Sequence, residues 1–137
     1  MTHHYLLDSW AILALLNKEE PAAARIEQLL RQAAGGQAQL TLSVINMGEL
    51  VYIFGRKHGS DAAEKLVSYL KQLPIHILSV DEHRVLTAAR FKMTHAVSYA
   101  DAFAAVAAIE LQAMLVTGDP ELLALDQEIE IESLTRM

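Results

Sequence analysis

Tyr5-Leu6-Leu7-Asp8-Ser9, close to the start of the chain, decides how the rest is read. An apolar run that halts on a carboxylate is the pattern of a buried central strand. Such a strand delivers its acid to the carboxyl edge of the sheet, where open α/β sheets hold their ligands. Three later acids, Glu49, Asp101 and Asp119, are expected at the same edge, and together with Asp8 they raise the question of a metal site.

Outward from Asp8, residues 9–16 are apolar nearly all round, as in a short buried helix capped by Asp8 or Ser9. Pro21 suits the first turn of a second helix, in which Ile26, Leu29 and Leu30 share a face until Gly35-Gly36 ends it. Leu40-Thr41-Leu42 reads as a strand running into Ser43, the N-cap of a helix from Val44 to about Lys57. Residues 61–72 form an amphipathic helix stopped by Pro74, and Ile75-His76-Ile77-Leu78 a strand. Asp81 caps a helix reaching Met93, and Ser98 opens one so rich in alanine that another backbone can approach it closely. Met114-Leu115-Val116-Thr117 is a strand ending at Gly118-Asp119-Pro120. A short helix over 121–125 and an edge strand over 129–131 follow. Strands alternating with helices predict an α/β fold, with a parallel sheet and helices on both faces. The chain shows no internal repeat and no low-complexity tract.

Its 137 residues are enough to bury a real core and too few for two domains, so a single domain over 1–137 is expected. Hydrophobic residues make up 53% and mean hydropathy is +0.22, yet no apolar run approaches the roughly 18 residues that a membrane helix needs. A soluble, well-packed protein is expected. No Lys or Arg precedes the first apolar run, and Asp8 interrupts it, which does not fit a secretory signal. With no cysteine there is neither a disulfide framework nor a thiolate metal site, and a cytoplasmic location is the default. The net charge of −6 argues against a nucleic-acid coat that binds by counterion release. Cations bound among the candidate acids would cancel much of that charge locally. A nucleic-acid substrate therefore stays open, with weak binding expected in the absence of metal.

Three of the acids have an ordinary structural use. Asp8 suits an N-cap, Asp101 stands at capping-box spacing in Ser98-Tyr99-Ala100-Asp101, and Asp119 precedes Pro120. Glu49 has no such use. Its neighbours in Ile45-Asn46-Met47-Gly48-Glu49-Leu50-Val51 are mostly apolar, and a buried unpaired carboxylate is expensive, so Glu49 is expected to face a cavity or a cation. Clustered carboxylates stay ionised together only if helix N-termini and divalent cations offset their repulsion. Oxygen-only ligands suit Mg²⁺ or Mn²⁺ rather than zinc. Asn46, Ser9 and Thr117 are candidate hydrogen-bond partners for these acids. There is no Gly-rich dinucleotide fingerprint and no phosphate-binding loop. His3, His4 and His95 read as surface residues, and Trp10 and Tyr99 as core or pocket wall rather than base-stacking platforms.

With these residues in place the chain resembles the PIN-domain family, and within it the VapC-type toxins of toxin–antitoxin pairs. The resemblance runs from Tyr5 to about Leu134. It is carried by Leu6-Leu7-Asp8-Ser9, Met47-Gly48-Glu49-Leu50, Ser98-Tyr99-Ala100-Asp101-Ala102 and Leu115-Val116-Thr117-Gly118-Asp119-Pro120. It implies a three-layer domain with a short parallel sheet between helices, and Mg²⁺- or Mn²⁺-dependent endoribonuclease chemistry. By motif, Asp8, Glu49, Asp101 and Asp119 would be the catalytic acids and metal ligands.

The leading expectation is hydrolysis of an RNA phosphodiester by water activated on a metal held by Asp8 and Asp101, with a second cation if two-metal chemistry applies. The alternative is a PIN-like module that binds RNA or protein without cutting. Arg56, Lys57, His58, Arg84, Arg90 and Lys92 are either phosphate contacts or solvated helix surface. A protein antitoxin and a homodimer are the expected partners. The high apolar content leaves faces along Ile26-Leu29-Leu30 and Val51-Phe54 for self-association or a partner helix. An inhibitor's Arg or Lys among the four acids would replace the cation.

Overall fold

A computed structural model describes residues 2–137. Strand β1 (His3–Leu7) lies at the centre of a five-stranded sheet, flanked by β2 (Ala38–Ser43) and β4 (Met114–Thr117). Strand β3 (His76–Leu78) forms one edge and β5 (Ile131–Ser133) the other, in the order β3-β2-β1-β4-β5. Every pairing is parallel. Leu7 stands opposite Leu42 on one side and Val116 on the other, so the ends of these three strands meet where Asp8 begins.

The alternation of strand side chains divides the core in two. Leu7, Leu42 and Val116 pack with α1 (Ser9–Leu16), α2 (Ala22–Ala34), α3 (Val44–His58) and α4 (Ser60–Gln72), while Leu6 and Leu115 pack on the opposite face with α6 (Tyr99–Leu111). Helix α5 (Glu82–Thr94) covers α6 from outside. Asp101 to Ala108 are all buried, and the small alanines let α6 lie close to the sheet and to α5 at once. Short helix α7 (Pro120–Leu123) joins β4 to the last strand. The structure is thus the expected α/β sandwich of helices, parallel sheet and helices. No helix among the described residues is long and apolar enough to cross a membrane.

Several local expectations change. The edge strand lies at Ile131–Ser133 rather than 129–131, because Ile129 is taken into the core and Leu115 pairs with Ile131. Glu132, thereby placed in the strand, receives Arg25 Nε at 2.7 Å. His95 is not a plain surface residue. Its ring stacks on Phe91 at 3.8 Å between centroids, and its Nε2 meets Glu128 Oε1 at 3.0 Å. The apolar faces expected to stay uncovered are mostly covered within the monomer. Ile26 and Leu29 are fully buried, and Leu30, Val51 and Phe54 are half-buried. Tyr52, at 53%, is the exposed member of the Val51–Phe54 stretch, and other large exposed apolar side chains lie elsewhere, among them Met93 at 81% and Ile109 at 49%.

Candidate active site

Local chemistry carries each acid to the carboxyl edge. Asp8 follows β1 and caps α1, its Oδ1 accepting from Ala11 N at 2.9 Å. Ser98 caps α6 by accepting from Asp101 N at 3.2 Å, which sets Asp101 in the helix's first turn. Asp119 follows β4 and caps α7, its Oδ1 accepting from Glu121 N at 2.9 Å. The ordinary capping use is therefore real at Asp8 and Asp119, and it holds both side chains at the edge.

These elements enclose a cavity of about 190 Å³ lined by Glu49, Asp101, Asp119, Glu121, Ser9 and Ser98, with Trp10, Leu13 and Ile53 as its apolar lining. One carboxylate oxygen each from Asp101, Asp119 and Glu121 lies within 4.8 Å of the other two. Asp8 is 1% exposed and does not line the cavity; it sits behind it, close enough to feel the charges of Asp101 and Asp119. Its second oxygen, Oδ2, accepts from Thr117 Oγ1, which in turn accepts from Asp119 N at 3.0 Å. Thr117 thus acts as the hydrogen-bond partner foreseen for it. Ser9 and Asn46 serve differently: Ser9 Oγ donates to Asn46 O at 3.2 Å, and Asn46 Nδ2 donates to Ala100 O at 3.2 Å, tying α1, α3 and α6 together beside the acids.

Burial pushes the Asp8 carboxyl up to about 7, with the charges of Asp101 and Asp119 adding to it and the donors Thr117 and Ala11 opposing it. Asp101 is also pushed up to about 7, by burial first and then by the charges of Asp119 and Glu49, while the Ser98 hydrogen bond opposes the rise. No Lys or Arg lines the cavity to relieve this repulsion. Arg84 is engaged with Glu110 at 3.1 Å, Lys92 donates to Val97 O at 2.7 Å, and Arg56 stands over Tyr52. The other basic candidates, Lys57, His58 and Arg90, also lie outside the cavity lining. An all-oxygen, uncompensated donor set fits a hard divalent cation.

Glu121 was not anticipated. An acid in the first turn of a short helix is an ordinary complement to the helix dipole. The available signal was its position two residues after Asp119, across a proline that starts the turn. Tyr99, read as core or pocket wall, is 47% exposed and meets Phe103 edge-on. Trp10 does line the cavity, and a Cβ at Gly118 would overlap its ring, so that glycine is what lets the indole lie against the strand end.

No curated protein matches the chain by sequence. Solved structures share its fold. VapBC-1 from nontypeable Haemophilus influenzae superposes with a TM-score of 0.69 at 21% identity, over 95% of this chain and 97% of that one. VapC20 from Mycobacterium tuberculosis, described as a Sarcin-Ricin loop cleaving toxin, gives 0.69 at 17% identity, over 88% and 93%. A toxin-antitoxin complex from Klebsiella pneumoniae gives 0.70 at 13% identity, over 97% and 99%. The model of the PIN domain matches residues 5–128, and with that span, its parallel sheet and its acid-lined edge, the chain belongs to the PIN domain family.

Proposed function

We propose that this chain, acting as one PIN-like domain over residues 1–137, is a Mg²⁺- or Mn²⁺-dependent endoribonuclease and the toxin of a toxin–antitoxin pair. Its working acids are Asp8, Glu49, Asp101 and Asp119, with Glu121 beside them. The observation that carries this reading is the convergence of carboxylates on a cavity of a PIN domain with no basic side chain in its lining. Asp101, Asp119 and Glu121 would hold the cation, with Glu49 and Asp8 completing the acid set. When bound, such an ion polarises a phosphoryl oxygen and lowers the pKa of water.

The chain's own residues supply the rest. Burial and the charges of Asp119 and Glu49 raise the Asp101 carboxyl, so a bound cation would be what holds it ionised. Asp8 is locked by Ala11 N and Thr117 Oγ1, and so presents its remaining lone pairs in one orientation. Trp10, Leu13 and Ile53 exclude water from one part of the cavity and strengthen the electrostatics within it. RNA as the substrate is supported by the M. tuberculosis relative, which is described as cleaving the Sarcin-Ricin loop. A protein antitoxin is supported by the K. pneumoniae complex, and a homodimer is proposed with it. A cytoplasmic location agrees with a chain that has no cysteine. The test is RNA cleavage by the purified protein with Mg²⁺ or Mn²⁺. Loss of cleavage in EDTA and in Asp101→Asn is expected, and cleavage unaltered by both would overturn the reading.

A further inference from the structure

A cation among Glu49, Asp101, Asp119 and Glu121 would meet the scissile phosphate, but an RNA strand carries further phosphates on either side of it, and these carboxylates repel them. Relief has to come from a basic side chain outside the lining. Arg84 and Lys92 are engaged within the fold, and Arg56 stands over Tyr52, which is not part of the lining. Arg136 is placed differently. Its guanidinium stands over the indole of Trp10, 4.9 Å from the ring centroid, and Trp10 is a wall of the cavity. Gly118 lies against the same indole, so the ring that carries Arg136 is itself fixed. The backbone that delivers Arg136 is tied down on both sides: Ala22 N donates to Thr135 O at 3.1 Å, and Met137 N to Glu20 O at 3.1 Å. The guanidinium nevertheless has donors to spare. Its Nη1 donates to Glu19 Oε1 at 3.1 Å, in a pair whose side chains are 48% and 29% exposed. An exposed ion pair made through one bond is worth little and exchanges readily for a phosphate, which can take the guanidinium fork two bonds at a time.

We propose that Arg136 is a substrate-binding residue of the nuclease, holding an RNA phosphate that flanks the scissile one, and that Glu19 competes with this phosphate for the guanidinium. The inference rests on the nuclease reading and adds to it a grip outside the acid cavity. Because the contact is to the backbone, it positions the strand without selecting a base. The two members of the ion pair then act in opposite directions. Removing the guanidinium weakens RNA binding, while removing the Glu19 charge strengthens it. If Arg136 served only to brace Trp10, neither change would take that form.

The test measures binding of a labelled single-stranded RNA by fluorescence anisotropy at fixed Ca²⁺ and varied KCl, and cleavage of the same RNA in Mg²⁺. Arg136→Gln is expected to raise Kd and KM roughly fivefold. It should also flatten the slope of log Kd against log[KCl] by about 0.7, the loss of one phosphate contact on a single strand. Arg136→Lys keeps the charge and is expected to keep the slope, although it loses the fork. Glu19→Gln is expected to lower Kd roughly twofold. A wild-type Kd and slope in Arg136→Gln, or a Kd raised by Glu19→Gln, overturns the contact. So does a slope in Arg136→Lys as shallow as that of Arg136→Gln, since Arg136 would then only brace Trp10. A wild type that binds RNA with the expected slopes but does not cut it keeps the contact and loses the nuclease. An active nuclease whose binding ignores Arg136 does the reverse, and a wild type that neither binds nor cuts RNA loses both.

Discussion

Thr117 Oγ1 donates to Asp8 Oδ2 at 2.5 Å, joining the end of the central strand to the end of its neighbour across 109 residues of sequence. Both groups are buried, so neither has water as a substitute. Thr117→Val keeps the shape and removes the donor. It should destabilise the protein by about 1–3 kcal/mol, the usual penalty of leaving a buried acceptor unmet, and push the Asp8 carboxyl higher still. Thr117→Ser should recover most of the stability, as read by urea denaturation of the two variants.

Asp101→Asn should abolish RNA cleavage and, without metal, leave the protein more stable than wild type, because it removes a charge that burial, Asp119 and Glu49 all oppose. Asp8→Asn should abolish cleavage as well, with a smaller gain, since the hydrogen bond donated by Thr117 to a charged oxygen is lost. Cleavage assays and thermal melts on the same preparations check both. A metal-free Asp101→Asn protein that melts below wild type would contradict the electrostatic account.

Stability should depend on pH with a definite sign. Asp8 and Asp101 titrate at 3.8 when unfolded and at about 7 when folded, so between those values the folded state binds more protons and stability falls as pH rises. A divalent cation favours the ionised carboxylates and opposes the fall. Mn²⁺ should therefore raise the melting temperature more at about pH 8 than at about pH 5. Equal shifts at both pH values would mean that the ion binds away from these two acids.

Cleavage should require Mg²⁺ or Mn²⁺ and stop in EDTA. Ca²⁺ should substitute poorly, because its looser coordination does not hold water and phosphate in the geometry that the smaller ions impose. Full turnover in Ca²⁺ would remove the argument from coordination geometry.

Gly118→Ala should weaken activity and stability together. Its added methyl overlaps the Trp10 ring, and relief requires the indole to leave the cavity or β4 to shift, at a cost of about 1–3 kcal/mol. Trp10→Phe in the Gly118→Ala background should recover stability by yielding room, as measured by denaturant midpoint.

Much of this was legible in the residues. The apolar run ending on Asp8 foretold a central strand, because such strands must be hydrophobic on both faces. Glu49 stood out because its helix offered it no ordinary use. What escaped reading depended on partners distant in sequence. His95 is shaped by Glu128, 33 residues on, which local periodicity cannot register. Ile129-Glu130-Ile131 alternates well enough to be a strand, and only the pairing of Ile131 with Leu115 decides that the ladder starts two residues later. The apolar faces thought free were claimed by neighbouring helices, since composition gives the amount of apolar surface and not its destination.

The sheet order β3-β2-β1-β4-β5 also has a bearing on synthesis. Asp8 leaves the ribosome early, but Thr117 and Asp119 emerge only when most of the chain has been made, and β4 cannot dock beside β1 before then. A nascent chain released or stalled short of β4 lacks both the strand and the last acids. The acid set is thus complete only in a nearly finished molecule, and incomplete translation products of this chain should be inert toward RNA.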